Sequence, residues 1–243
     1  MLGIIGGTGL DRLDLIEDRE ELDARTVWGM ASAPPIRGRV GQQSMVFLPR
    51  HGPHHAVAPH EINYRANLRA LADAGVDTIV GVGAVGGIAA APAPGGLAVP
   101  DQLIDYTWGR ASTFFEGAGA EVGHIDLTWP YTEAVRQRLL AAATSAGTDA
   151  VDGGCYGATQ GPRLETAAEI RKLERDGCTL VGMTGMPEAA LARELEIAYA
   201  CCAVVVNPAA GKAATPISLD AIREQLERGM ARVRALLQAL GSS

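Results

Sequence analysis

Five short apolar runs constrain this chain more than any other feature: Leu2 to Ile5, Met45 to Leu48, Thr78 to Val82, Thr179 to Gly182 and Ala203 to Val206. They are rich in valine and isoleucine, bounded by glycine and proline, and separated by helix-patterned stretches, as buried strands of an α/β sheet are. Directly after them come Gly6-Gly7-Thr8-Gly9, Arg50-His51-Gly52, Gly83-Ala84-Val85-Gly86-Gly87, Met183-Thr184-Gly185-Met186-Pro187 and Asn207-Pro208-Ala209-Ala210-Gly211. Ligands collect at the carboxyl ends of strands in such sheets. The chemistry of the chain is therefore expected at these five endings.

Helices are predicted from Glu61 to Ala74, Thr132 to Ala146, Glu165 to Arg175 and Pro187 to Glu196. Pro187 suits a first helical position, where its missing N–H costs nothing. A last helix carries Leu219, Ile222, Leu226, Met230, Val233, Leu237 and Leu240 at intervals of three or four, a single buried stripe with Ser218 as its N-cap. Gly109 to Gly123 reads as a mobile polar loop, and order is expected to fade from Leu240 to Ser243. No Pro/Ser-rich or charged linker divides the 243 residues, so 1–243 is read as one domain.

A formal net charge of −7 and the lack of any long basic run argue against nucleic acid or a membrane surface as partner. A local arginine can still bind a small anion. No apolar stretch reaches membrane-spanning length, and the first strand starts too early for a secretion signal, so a cytoplasmic location is expected. Cys155, Cys178, Cys201 and Cys202 lack CxxC spacing and are read as structural thiols in a compartment that disfavours disulfides.

The local signals have competing readings. Gly81-x-Gly83-x-x-Gly86, with Asp105 about 20 residues further on, matches a dinucleotide fingerprint. Prolines and glycines between Gly87 and Pro100 replace the helix it requires, so a phosphate-lining loop is preferred, with a bare tight turn as the alternative. His51, His54, His55 and His60 fall within ten residues, yet Pro53 and Pro59 break the helical spacing of a zinc site and no cysteine is near. No metal is expected; His51 beside Arg50 is the anion candidate, and the other three are read as loop residues without a direct chemical role. Thr8 adds a hydroxyl to backbone N–H groups exposed by its glycines, although a plain turn explains the same glycines. Thr184 is either a helix cap or an anion ligand before a positive helix N-terminus.

The order and wording of these pieces are more specific than any one of them. Gly6-Gly7-Thr8-Gly9-Leu10, Arg50-His51-Gly52 with Asn63-Tyr64-Arg65-Ala66-Asn67, Gly161-Pro162-Arg163, Met183-Thr184-x-x-Pro187-Glu188 and a strand ending at Asn207 follow one another. Along nearly its whole length the chain resembles the trimeric purine nucleoside phosphorylase and methylthioadenosine phosphorylase family. The resemblance implies an α/β nucleoside phosphorylase fold in a single domain, with a mixed central β-sheet flanked by helices. It implies phosphate held by Thr8, Arg50, His51, the backbone of Gly83 and Ala84, and Thr184. It places Met183 against the ribose, the base against Asn207, Pro208 and Ala209, and His124 in a neighbouring subunit's site within a homotrimer. Phosphate is then a co-substrate, and no cofactor is implied. Gly83 departs from the family, which often has threonine or serine there.

Two branches of that family differ at residues this chain mixes. Asn207 and Ala209 stand where methylthioadenosine phosphorylases carry aspartates for a 6-amino group; asparagine can pair with a protonated N7 and a 6-oxo group. Glu165 suits the N1–H of a 6-oxopurine and opposes the N1 acceptor of adenine, unless it is a solvated acid in the first turn of a helix. Leu219 stands where the inosine and guanosine enzymes place a histidine for the 5′-hydroxyl. Leucine packs instead against a methylthio group, unless it belongs to the core stripe of the last helix. The combination resembles the branch that cleaves S-methyl-5′-thioinosine to hypoxanthine and 5-methylthioribose 1-phosphate, with Asn207 and His51 catalytic. The alternatives are phosphorolysis of inosine and guanosine, phosphorolysis of methylthioadenosine, and nucleoside binding without catalysis.

Overall fold

The computed structural model describes residues 1–10, 13–117, 122–214 and 218–242. Its strands are β1 (Leu2–Gly6), β2 (Glu17–Glu21), β3 (Arg25–Thr26), β4 (Gly29–Met30), β5 (Ile36–Val40), β6 (Gln43–Pro49), β7 (Thr78–Gly87), β8 (Leu97–Val99), β9 (Gln102–Asp105), β10 (Ala150–Asp152), β11 (Cys155–Ala158), β12 (Leu180–Gly182) and β13 (Ala198–Pro208). The helices are α1 (Tyr64–Asp73), α2 (Glu133–Ser145), α3 (Ala167–Arg175), α4 (Gly185–Glu194) and α5 (Leu219–Ser242). All five predicted apolar runs are strands, and each predicted helix is present with its ends moved by a few residues.

The main sheet runs β10-β8-β13-β7-β1-β6-β5-β2, with β13, β7, β1 and β6 mutually parallel. Four of the five runs thus end at one edge. The fifth, β12, is antiparallel to the far end of β7, with Leu180 opposite Gly87 and Val181 opposite Gly86. This corrects the expectation of a loop at Gly83 to Gly87. Those residues continue β7, because β13 and β12 supply backbone partners on its two sides.

Alternation along the strands sends side chains to two cores. Tyr199, Cys201, Ala203 and Val205 of β13 join the cluster containing Leu68 and Leu71 of α1 and Leu191 of α4. Ala200, Cys202, Val204 and Val206 join the cluster containing Leu139 of α2 and Met230 and Val233 of α5. The result is a mixed sheet with helices on both faces. Burial pushes the Cys202 thiol up to about 12, consistent with a packing role. Among the described residues, no helix is long and apolar enough to cross a membrane.

Helix α5 packs by the predicted stripe from Met230 to Leu240, with Ile222 and Leu226 partly buried against the same core. Leu219 is not part of it: the side chain is 67% exposed. The helix also continues to Ser242, past Leu240 where order was expected to fade. Its seat on β13 depends on Gly229, where a Cβ would lie 2.2 Å from Val204 Cγ1. Gly229→Ala is therefore expected to lower stability by ~1–3 kcal/mol, the usual cost of overpacking, as read by urea unfolding.

Candidate active site

A cavity of about 580 Å³ opens at the carboxyl edge and is lined by residues from all five strand endings. Arg50, directly after β6, forms its floor at 2% exposure. Its Nε and Nη2 donate to the two carboxylate oxygens of Glu188 in α4, the latter at 3.0 Å, and its Nη1 donates to the Val82 carbonyl at 2.7 Å. Tyr199 donates its hydroxyl to the same carboxylate at 2.8 Å. Burial disfavours the charged guanidinium, but the attraction of Glu188 and its hydrogen bonds outweigh that effect and hold Arg50 protonated. A guanidinium has five N–H donors, so one on each terminal nitrogen remains for an anion.

Glycines make this approach possible. A Cβ on Gly7 would lie 2.7 Å from Arg50 Nη1, and one on Gly81 would lie 2.3 Å from the Tyr199 hydroxyl. The glycine spacing in β7 therefore serves this packing and not a dinucleotide. Thr8, after Gly7, lines the cavity. Thr184 is buried, and its side chain makes no capping bond to α4, so the helix-cap reading gives way. Met186 is extended, so the regular helix opens at Pro187 as predicted. A Cβ on Gly83 would stand 3.7 Å from Thr184 Oγ1, which puts the Gly83 backbone beside that hydroxyl. Ala84 lines the same wall.

His51 has a definite protonation pattern. Its Nδ1 is 2.9 Å from the Val57 carbonyl oxygen, which can only accept, so Nδ1 carries the hydrogen and Nε2 is a bare acceptor. Burial, reinforced by the charge of Arg50, pushes its pKa down to about 4. Toward an anion it offers a lone pair and not a positive charge. His55, expected to be a bystander, also lines the cavity: its ring centroid is 4.1 Å from that of His51, and its Nε2 is 3.4 Å from Thr8 Oγ1. His54 and His55 take left-handed φ of 59° and 57°, a backbone turn that the sequence pattern does not announce.

At the other end, the register of β13 against β7 shifts between Val205 and Asn207, and this bulge re-aims Asn207 at the cavity. Its Nδ2 donates to the Pro208 carbonyl at 2.6 Å, which leaves Oδ1 as the acceptor. Ala209 is buried beside it, whereas Pro208 is exposed and lies outside this cavity. Glu165 precedes Thr166, the N-cap of α3, and so is not in the first helical turn. It is half-buried, and its Oε1 receives the Thr159 hydroxyl at 2.6 Å. Leu219 and Ile222 form an apolar wall, and Met183 also lines the cavity. His124 is exposed and lines no part of the cavity of its own chain. Sequence reasoning assigned no role to Glu188, Tyr199 or Thr159, although Glu188 stood inside a matched motif.

Removing one partner of a buried ion pair strands the other. Glu188→Ala is expected to cost about 3–5 kcal/mol in denaturant unfolding, while Arg50→Met combined with Glu188→Leu should recover much of that loss. A second expectation concerns pH. Unfolded His51 takes up a proton near its ordinary value of about 6.5, whereas the folded ring refuses it until about 4, so stability should fall as pH drops through that window. Tm measured between pH 7 and pH 4.5 should decline less steeply in His51→Gln than in the wild type.

Comparison with known proteins agrees with this geometry. Residues 1–241 match the model of the Phosphorylase superfamily. A probable S-methyl-5′-thioinosine phosphorylase of Pseudomonas syringae pv. tomato is 52% identical over 234 residues, covering 96% of this chain and 95% of that protein. A 6-oxopurine nucleoside phosphorylase of Pyrococcus furiosus is 40% identical over 232 residues, covering 93% of this chain and 86% of its own. Among solved structures, methylthioadenosine phosphorylase from Schistosoma mansoni in complex with adenine superimposes with a TM-score of 0.93 at 31% identity, covering 99% of this chain and 90% of that one. With its parallel strand endings gathered around a buried arginine, and with this similarity along its whole length, the chain belongs to the phosphorylase superfamily.

Proposed function

We propose that the protein cleaves S-methyl-5′-thioinosine with phosphate, giving hypoxanthine and 5-methylthioribose 1-phosphate. The observation that carries this reading is a single cavity with an anion-ready arginine at one end and Asn207 with Glu165 at the other. Phosphate is held by Arg50, Thr8, Thr184 and the backbone at Gly83 and Ala84, with His51 accepting from its protonated oxygen. A phosphate oxygen attacks C1′ as the bond to N9 breaks, and the electron pair of that bond passes into the purine. The phosphate gives up its proton as it becomes the ester, and the purine anion takes up one from solvent at N7, where the N–H donates to Asn207 Oδ1. The free oxygen of Glu165 accepts from N1–H of the 6-oxopurine. Phosphate is the nucleophile, so the protein supplies alignment and charge stabilisation and needs no cofactor.

The choice of 5′ group rests on Leu219. Its exposure at the cavity mouth beside Ile222 favours an apolar methylthio group over a hydroxyl. The names of the Pseudomonas and Pyrococcus relatives support the oxopurine base. We take residues 1–243 as one domain acting in the cytoplasm as a homotrimer. Exposed Trp108, Val122 and Trp129 on the segments flanking His124 support a partner face there, from which His124 would reach a neighbouring site.

Methylthioinosine, inosine and methylthioadenosine should be incubated separately with and without phosphate while free base is followed. Phosphate-dependent release is expected to be fastest from methylthioinosine, and Leu219→His should shift the kcat/KM ratio toward inosine by about tenfold, ~1.4 kcal/mol. Release without phosphate, or a ratio unmoved by the substitution, would contradict the reading.

A further inference from the structure

We propose that Arg110 is a positioning residue that sets the spacing between the two walls of the cavity, and with it the register of base against phosphate. The inference rests on the proposed reading of the site. Arg110 lies in the segment between β9 and α2 and does not line the cavity. Its Nη2 donates to the carbonyls of Gln160 at 2.9 Å and Thr159 at 3.3 Å, and its Nε to Gln160 Oε1 at 3.3 Å. Its Nη1 donates to the carbonyls of Met183 at 2.8 Å and Met186 at 2.6 Å.

These acceptors belong to the two segments that carry the walls. Thr159 holds Glu165 on one side, and Met183 and Met186 bracket Thr184 on the other. A third segment is drawn in through Tyr64, whose hydroxyl is 3.2 Å from Arg110 Nη1 and donates in turn to the Pro59 carbonyl on the cavity rim. The two segments are already joined where β11 pairs with β12 and Thr159 N donates to the Gly182 carbonyl at 2.8 Å; past that ladder the guanidinium, a rigid planar fork, fixes the spacing of Gln160 against Met183 and Met186. Lysine has three donors on one nitrogen at the end of a flexible stem, and so cannot hold two separate pairs of carbonyls at a set distance. The part of the predicted mobile loop around Gly109 is thus fastened to the site.

Each wall keeps its own contacts without Arg110, so the cost should fall on alignment and not on binding. Arg110→Ala and Arg110→Lys should be compared with wild type for kcat and for KM of nucleoside and of phosphate, with kcat expressed per site competent to bind nucleoside by calorimetric stoichiometry. In Arg110→Ala, kcat per competent site is expected to fall about tenfold or more while each KM moves by less than about threefold. Arg110→Lys should not restore it, whereas guanidinium added well below denaturing concentration should restore part and ammonium none. An unchanged kcat per competent site, or a lysine variant equal to wild type, would reduce Arg110 to a loop tether. A wild type that released no base with phosphate would instead overturn the reading of the site itself.

Discussion

The buried pair of Arg50 and Glu188 is the interaction on which the site depends. It joins the end of β6 to α4, reaches β7 through the Val82 carbonyl, and reaches β13 through Tyr199. Four elements that enclose the cavity are thereby tied to one guanidinium. Such a pair is a poor device for stability alone, because apolar residues of the same volume often serve as well. Its value lies in keeping a cation in place, already oriented and already compensated, before any anion arrives. That is the condition under which fixed charges act without reorganising as a reaction proceeds.

How much of this was legible in the sequence follows from how local each signal is. The strand endings could be read because apolar period and glycine punctuation are short-range patterns. The direction of β12 could not, since a run of three or four buried residues carries no polarity. Gly83 to Gly87 was misread for a related reason: the composition is that of a turn, but partners distant in sequence on both sides make it a strand. Glu188 and Tyr199 are 11 residues apart and meet only through tertiary packing around Gly81. His55 enters the site through a backbone turn, and Arg110 through carbonyls more than 45 residues away.

Leu219 and Glu165 show the converse case, where the structure separates readings that the sequence left open. Helical spacing assigned Leu219 equally well to the core and to the cavity, because a residue at the first position of a helix keeps the phase of the stripe while lying beyond the sheet it packs on. Glu165 precedes the cap of α3 and is fastened to Thr159, so its carboxylate has a fixed direction that a solvated acid lacks. Both residues stand at helix starts facing the same cavity. On the proposed reading, specificity is concentrated at two element boundaries, where a substitution would change the pocket without disturbing either core.

The hydrogen on His51 Nδ1 has a consequence for discrimination between tetrahedral anions. With that hydrogen committed to the Val57 carbonyl, Nε2 can only accept, and it remains an acceptor throughout the neutral range. Phosphate near neutrality carries at least one acidic hydrogen and can satisfy this nitrogen. Sulfate, of the same shape and charge, carries none and would set lone pair against lone pair. On the proposed reading, a neutral His51 facing the phosphate would select its anion by proton content, a form of recognition that neither the arginine nor the glycine-rich backbone can provide.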